Sequence, residues 1–145
     1  MKEFAAGPRS LRGNESHLER GDKMYHSAIT ATFSAAHALR NYQGKCERLH
    51  GHNWKIEVAT ATETLDAAGM GLDFTVLRER LGAVLALLDH RFLNDLEPFL
   101  ACSPSSELIA RHIFEQLEPA VSDGRVRLVA VKVWESEGSW AEYRP

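Results

Sequence analysis

From His50 to Val58 the chain alternates in character with a period of two. His50, His52, Trp54, Ile56 and Val58 share one parity, and Asn53, Lys55 and Glu57 share the other. That period belongs to a β-strand with one buried face, because successive side chains point to opposite sides of the backbone. If the strand reaches back to His50, both imidazoles project from one face. Gly51 between them leaves room for close approach of a ligand or a second backbone. A His-x-His pair does not define a site until a third ligand stands beside it.

His37 supplies that ligand. Tyr25 to His37 also reads as a strand, with Ile29, Ala31, Phe33, Ala35 and His37 on one parity and Thr30, Thr32 and Ser34 on the other. A loop containing Asn41, Gly44 and Lys45 separates the two strands. Folded back as an antiparallel pair, the end of the first strand lies beside the start of the second. His37 then meets His50 and His52 at one end of the sheet. Three neutral imidazoles suit Zn²⁺ and leave a fourth position open, the pattern of a catalytic site, whereas structural zinc sites are usually closed by four ligands.

The chain's 145 residues suffice for one domain with a real core and are too few for two. A net charge of −3 without a basic run argues against nucleic-acid and membrane-surface partners. No apolar run approaches the length of a transmembrane helix. Two cysteines, one of them within the histidine cluster, make no disulfide framework and suit a cytoplasmic location. Residues 1–23 carry almost nothing to bury and lack the apolar core of a signal peptide, so a disordered extension is expected. Met24 directly precedes the first strand, as an upstream start codon would leave it. His17 and His26 read as surface residues. Residues 24–145 are expected to form the single domain.

Asp73 is a candidate N-cap for a helix whose apolar face is Phe74, Leu77, Leu81, Val84, Leu85 and Leu88, ending near Asp89. A second helix starts around Pro104, with Ser103 or Ser105 as cap. It carries Leu108, Ile109, Ile113 and Leu117 and is expected to stop before Pro119. His112 beside that stripe reads as a packed histidine. A valine-rich third strand covers Arg125 to Glu135, and a turn at Ser136–Ser139 leads into a short fourth strand, Trp140–Tyr143. The order β-β-α-α-β-β indicates an α+β domain, an antiparallel sheet with two helices on one face. Four strands leave open edges, which favours association by sheet extension.

Three further positions carry candidate chemistry. Cys46 is either a buried free cysteine or, given its polar neighbours Gln43, Lys45, Glu47 and Arg48, a thiolate base or nucleophile near the metal. Cys102 has no such neighbours and is given no role. Asp89–His90 forms either a general-base pair or a solvent-facing helix end. Glu135 is either the exit of its strand or a pocket-rim carboxylate that takes two N–H donors from a planar heterocycle.

Phe33-Ser34-Ala35-Ala36-His37, Cys46-x-x-x-His50-Gly51-His52, Gly71-Leu72-Asp73-Phe74, Leu88-Asp89-His90, Pro104-Ser105-Ser106-Glu107 and Trp134-Glu135 follow one another in order. Together they resemble the 6-pyruvoyl-tetrahydropterin synthase family, most closely its bacterial 6-carboxytetrahydropterin synthase branch of queuosine biosynthesis. The resemblance covers about residues 25–144, with Ser105 where the family usually has threonine. It implies a tunnelling fold (T-fold) in which trimers close a twelve-stranded barrel and pairs of trimers stack as a homohexamer. It implies one Zn²⁺ per chain on His37, His50 and His52, with Cys46 abstracting protons and Asp89 and His90 as its relay from a neighbouring chain. Glu135 would anchor the pterin ring, assisted by Ser105 or Ser106. The implied substrate is 7,8-dihydroneopterin triphosphate. The queuosine branch converts it to 6-carboxy-5,6,7,8-tetrahydropterin with release of acetaldehyde and triphosphate, whereas the 6-pyruvoyl branch stops after triphosphate elimination and internal redox. Glu47 beside Cys46 is treated as a loop residue, and a folate-type cleavage is the minor alternative. A pterin- or metal-binding module without turnover would need the histidines and Glu135 but not Cys46, Asp89 and His90.

Overall fold

The computed structural model describes residues 23–145. The expectations for His17 and for all but the last residue of the N-terminal extension lie outside the described residues. Strands β1 (Tyr25–His37) and β2 (His50–Thr62) form the long hairpin that the alternation predicts. Their register pairs His37 with His50 and Ala35 with His52, so the three imidazoles share one face and one end. Along that face Ile29, Phe33, Ala35, Trp54, Ile56 and Val58 are buried. His26 is exposed, as expected.

Helix α1 (Phe74–Leu85) opens on Asp73, whose carboxylate accepts the Thr75 N–H at 2.7 Å. It buries Leu77, Leu81 and Leu85 but ends one turn earlier than its apolar period suggests. Leu88 continues the period and is buried, yet the N–H groups of Leu88 and Asp89 both bond the Leu85 carbonyl, closing the helix in tight turns. Helix α2 (Ser106–Val121) runs through Pro119 instead of stopping before it. Proline there removes one intrahelical N–H, but the helix is in its last turn. Buried Val121 anchors the end, and Ser122 N–H closes it on the Glu118 carbonyl at 2.9 Å.

Strands β4 (Val126–Ser136) and β5 (Ser139–Tyr143) complete the antiparallel set. A fifth strand absent from the sequence reading, β3 (Arg91–Phe92), pairs parallel with Ala35 and Ala36 of β1, giving the order β3-β1-β2-β4-β5. Two residues carry no period, so nothing in the sequence announces it. Within β4 the pairing to β2 slips between Ala59 and Thr60, leaving Val129 as an extra residue. The bulge exchanges the faces, so Val126 and Leu128 point to the core before it and Val131 and Val133 after it. Val126 therefore faces the core from the opposite parity to Val131 and Val133.

Both helices cover one face of the sheet, and their buried residues join those of the strands in one cluster. A buried leucine such as Leu81 contributes about 2–5 kcal/mol against truncation to alanine. The opposite face is polar. On it Lys132 lies 3.7 Å from Glu142 and 4.0 Å from Glu57, and Trp140 is half exposed. Among the described residues no helix is long and apolar enough to cross a membrane.

Candidate metal centre

At the helix-covered end of the hairpin, one nitrogen from each of His37, His50 and His52 and one Glu135 oxygen lie within 4.8 Å of one another. The strand register supplies the histidines. Glu135 arrives from β4 at a second slip, where pairing to β5 shifts between Trp134 and Ser136 and leaves Glu135 as the extra residue. Bulges re-aim side chains in this way. His37 is fully buried, and Trp54 packs edge-on against both His37 and His52, with ring centroids 4.9 and 5.0 Å away. The indole N–H is bonded to the Ala35 carbonyl at 3.2 Å, which holds the ring in place.

The hydrogen bonds fix which ring nitrogens are free to ligate. His37 Nδ1–H donates to the Pro104 carbonyl at 2.8 Å, and His50 Nδ1–H donates to the Arg48 carbonyl at 2.7 Å. Carbonyls only accept, so both Nδ1 atoms carry protons and both neutral rings present an Nε2 lone pair. Those two Nε2 atoms face each other at 3.0 Å. Two acceptors at that distance require a proton or a cation between them. His52 Nε2 is buried without a hydrogen-bond partner among the described residues, because the Glu135 carboxylate 3.3 Å away is not aligned to accept from it. An orphaned buried nitrogen beside two opposed lone pairs fits a metal ion. Burial lowers the pKa of His37, and His50 and His52 push it the same way against the Pro104 carbonyl. Burial also lowers that of His52, opposed by Glu135. Both effects favour the neutral, ligating form.

The other candidate residues are distributed around this cluster. Ser106 Oγ–H donates to the second Glu135 oxygen at 3.4 Å. The Ser105 hydroxyl is taken by the helix, accepting from Leu108 N–H as the N-cap of α2. Asp89 and His90 stand on the outer edge of β1. There the Asp89 carboxylate accepts from Ser34 N–H and His90 Nδ1–H, both at 2.9 Å, and these two donors hold its pKa low. His90 N–H donates to the Ser34 carbonyl, and its φ of 54° lies in the left-handed region that costs a side-chain-bearing residue about 1–2 kcal/mol. His90 and His52 line the same cavity of about 550 Å³, with Asn53 and Arg91. Cys46 is half-buried in a short turn, Lys45–Glu47, and is not among the cluster's ligands. His112 packs on Phe99, with ring centroids 5.5 Å apart. The Pro104 carbonyl, Trp54 and Ser34 were given no role at the site from sequence, since backbone hydrogen bonds and packing contacts are set by the fold rather than by residue type.

The 6-pyruvoyl tetrahydropterin synthase family model matches residues 27–145. A 6-carboxy-5,6,7,8-tetrahydropterin synthase from Synechocystis sp. is 42% identical over 120 residues, covering 77% of this chain and 87% of that protein. The one from Bacillus subtilis is 32% identical, covering 77% and 80%. The solved 6-pyruvoyl tetrahydropterin synthase of Caenorhabditis elegans superposes with a TM-score of 0.77 at 29% identity, covering 85% of this chain and 96% of that one. The sheet and two-helix layer are accordingly those of the tunnelling fold. The chain belongs to the 6-pyruvoyl tetrahydropterin synthase family.

Proposed function

We propose that this protein converts 7,8-dihydroneopterin triphosphate to 6-carboxy-5,6,7,8-tetrahydropterin, acetaldehyde and triphosphate, with water supplying the second carboxylate oxygen. The observation that carries the reading is the set of three histidine nitrogens, two facing at 3.0 Å and the third buried without a partner. The identity to the Synechocystis sp. relative favours the 6-carboxy product over the 6-pyruvoyl one.

His37, His50 and His52 would hold the ion, Zn²⁺ in this reading, and the Pro104 and Arg48 carbonyls fix the tautomers of two of them. The bound ion would act as a Lewis acid toward the oxygens of the substrate side chain. Glu135, steadied by Ser106, would take the paired N–H donors of the pterin ring. Cys46 would remove the side-chain proton, with Asp89 holding the His90 imidazole for relay. Asp89 and His90 occupy the open edge of β1, which a neighbouring copy would extend, so they would stand at the junction of two chains. We accordingly read the active form as a trimer or a pair of trimers. Unpaired cysteines fit a cytoplasmic setting.

Mass analysis of the products formed from dihydroneopterin triphosphate tests the assignment. Acetaldehyde with the 6-carboxy pterin is the expected outcome. A 6-pyruvoyl product would move the protein to the other branch, and unchanged substrate would favour a binding module.

A further inference from the structure

The loop that brings Pro104 and Ser106 to the cluster is fastened by two residues outside the functional set. Asn94 is 6% exposed, and its side-chain amide meets both backbone groups of Ala38, the residue after His37. Its Oδ1 accepts from Ala38 N–H at 2.9 Å, and its Nδ2–H donates to the Ala38 carbonyl at 2.8 Å. One side chain thus makes the two-point pairing that a neighbouring strand would otherwise supply. Arg40, at the exposed end of the same segment, donates from Nη1 to the carbonyls of Phe99 (2.9 Å), Leu100 (2.9 Å) and Cys102 (2.6 Å). Its own N–H donates to the Ser103 hydroxyl at 2.7 Å. Both ends of the 94–104 stretch are therefore tied to Ala38 and Arg40, within three residues of His37.

The consequence falls on His37. A neutral imidazole has two tautomers of similar energy, and the acceptor at Nδ1 decides which nitrogen keeps its lone pair. That acceptor is the Pro104 carbonyl, 2.8 Å away. A displacement of the loop by about 1 Å would break a hydrogen bond of this length. We infer that Asn94 and Arg40 are positioning residues of the metal centre, holding the 94–104 loop so that the Pro104 carbonyl fixes the tautomer and ring angle of His37. The inference rests on the metal reading above.

The test uses the full-length protein, loaded with Co²⁺ as a spectroscopic probe, in wild-type form and as Asn94→Ala, Arg40→Ala and Arg40→Lys. Chelator competition gives affinity, the visible ligand-field bands report ligand geometry, and melting of each metal-free protein reports fold stability. Loss of a partner behind a ligand typically weakens metal binding about 10–100-fold. That loss, with altered bands at temperatures where the metal-free variants remain folded, is expected for Asn94→Ala and Arg40→Ala. Arg40→Lys, which keeps one cationic donor, should recover part of it. Should Asn94→Ala fail to fold, the exposed Arg40 variants decide the matter. Affinities within twofold of wild type, with only the melting temperature lowered, would overturn the inference and leave the metal reading standing. A wild type that takes up no Co²⁺ would overturn both.

Discussion

His37 and His50 donate their Nδ1 hydrogens to backbone carbonyls, and this fixes what their other nitrogens can do. Cys46 stands outside the group of side chains that could hold an ion, so its replacement tests the proposed proton transfer apart from metal binding. Cys46→Ala is expected to keep its metal and bind pterin while losing turnover by about 10²–10⁴-fold. Metal analysis beside steady-state kinetics checks this, and parallel loss of metal and activity would make Cys46 a fourth ligand. The histidines also set a pH dependence. Burial holds His37 and His52 below the ordinary imidazole value of about 6.5. As pH falls below that value the unfolded chain takes up protons that the folded one refuses, so stability is lost downward through the lowered folded values. Melting of the metal-free protein should be level above about pH 7 and decline below about pH 6.5. A melting temperature unchanged down to pH 5 would contradict the buried neutral histidines.

At the scale of elements, the parts with a long period were legible in the sequence. β1 and β2 alternate cleanly for most of their length, so their pairing and the meeting of His37 with His50 followed from parity together with the short loop that folds one strand back on the other. The β4 bulges were not legible, because the register slips at Val129 and Glu135 depend on partner strands and leave no mark on composition. The sequence could therefore name Glu135 as a carboxylate at a strand end but not place it against His52. The two serines at the start of α2 likewise separate only in three dimensions. Ser105 caps the helix while Ser106 reaches Glu135. Ser105→Ala should cost about 1 kcal/mol and lower the melting temperature by a few degrees, with KM unchanged. A large rise in KM without destabilisation would show that Ser105 serves the substrate instead.

Taken as a whole, the described residues form a helix-covered face and a polar one, and no described strand pairs with most of the outer edge of β1 or with that of β5. Which face would be covered was readable from the apolar parity. The short β3 and the seating of Asp89 and His90 on the β1 edge were not, because they depend on backbone hydrogen bonds to Ser34. Open edges and an edge-mounted acid–base pair lead us to expect an active species built in multiples of three chains. Light scattering coupled to an activity assay checks this, and an active monomer would rule it out. If the three-histidine cluster holds the catalytic metal, turnover depends on its occupancy. The most direct measurement is titration of metal-free protein with Zn²⁺ while following dihydroneopterin triphosphate turnover, in the wild type and in His50→Ala. Activity should rise from the baseline and break at one ion per chain in the wild type, with no response in a still-folded His50→Ala. Full activity in metal-free protein, or a His50→Ala variant that responds like the wild type, would contradict it.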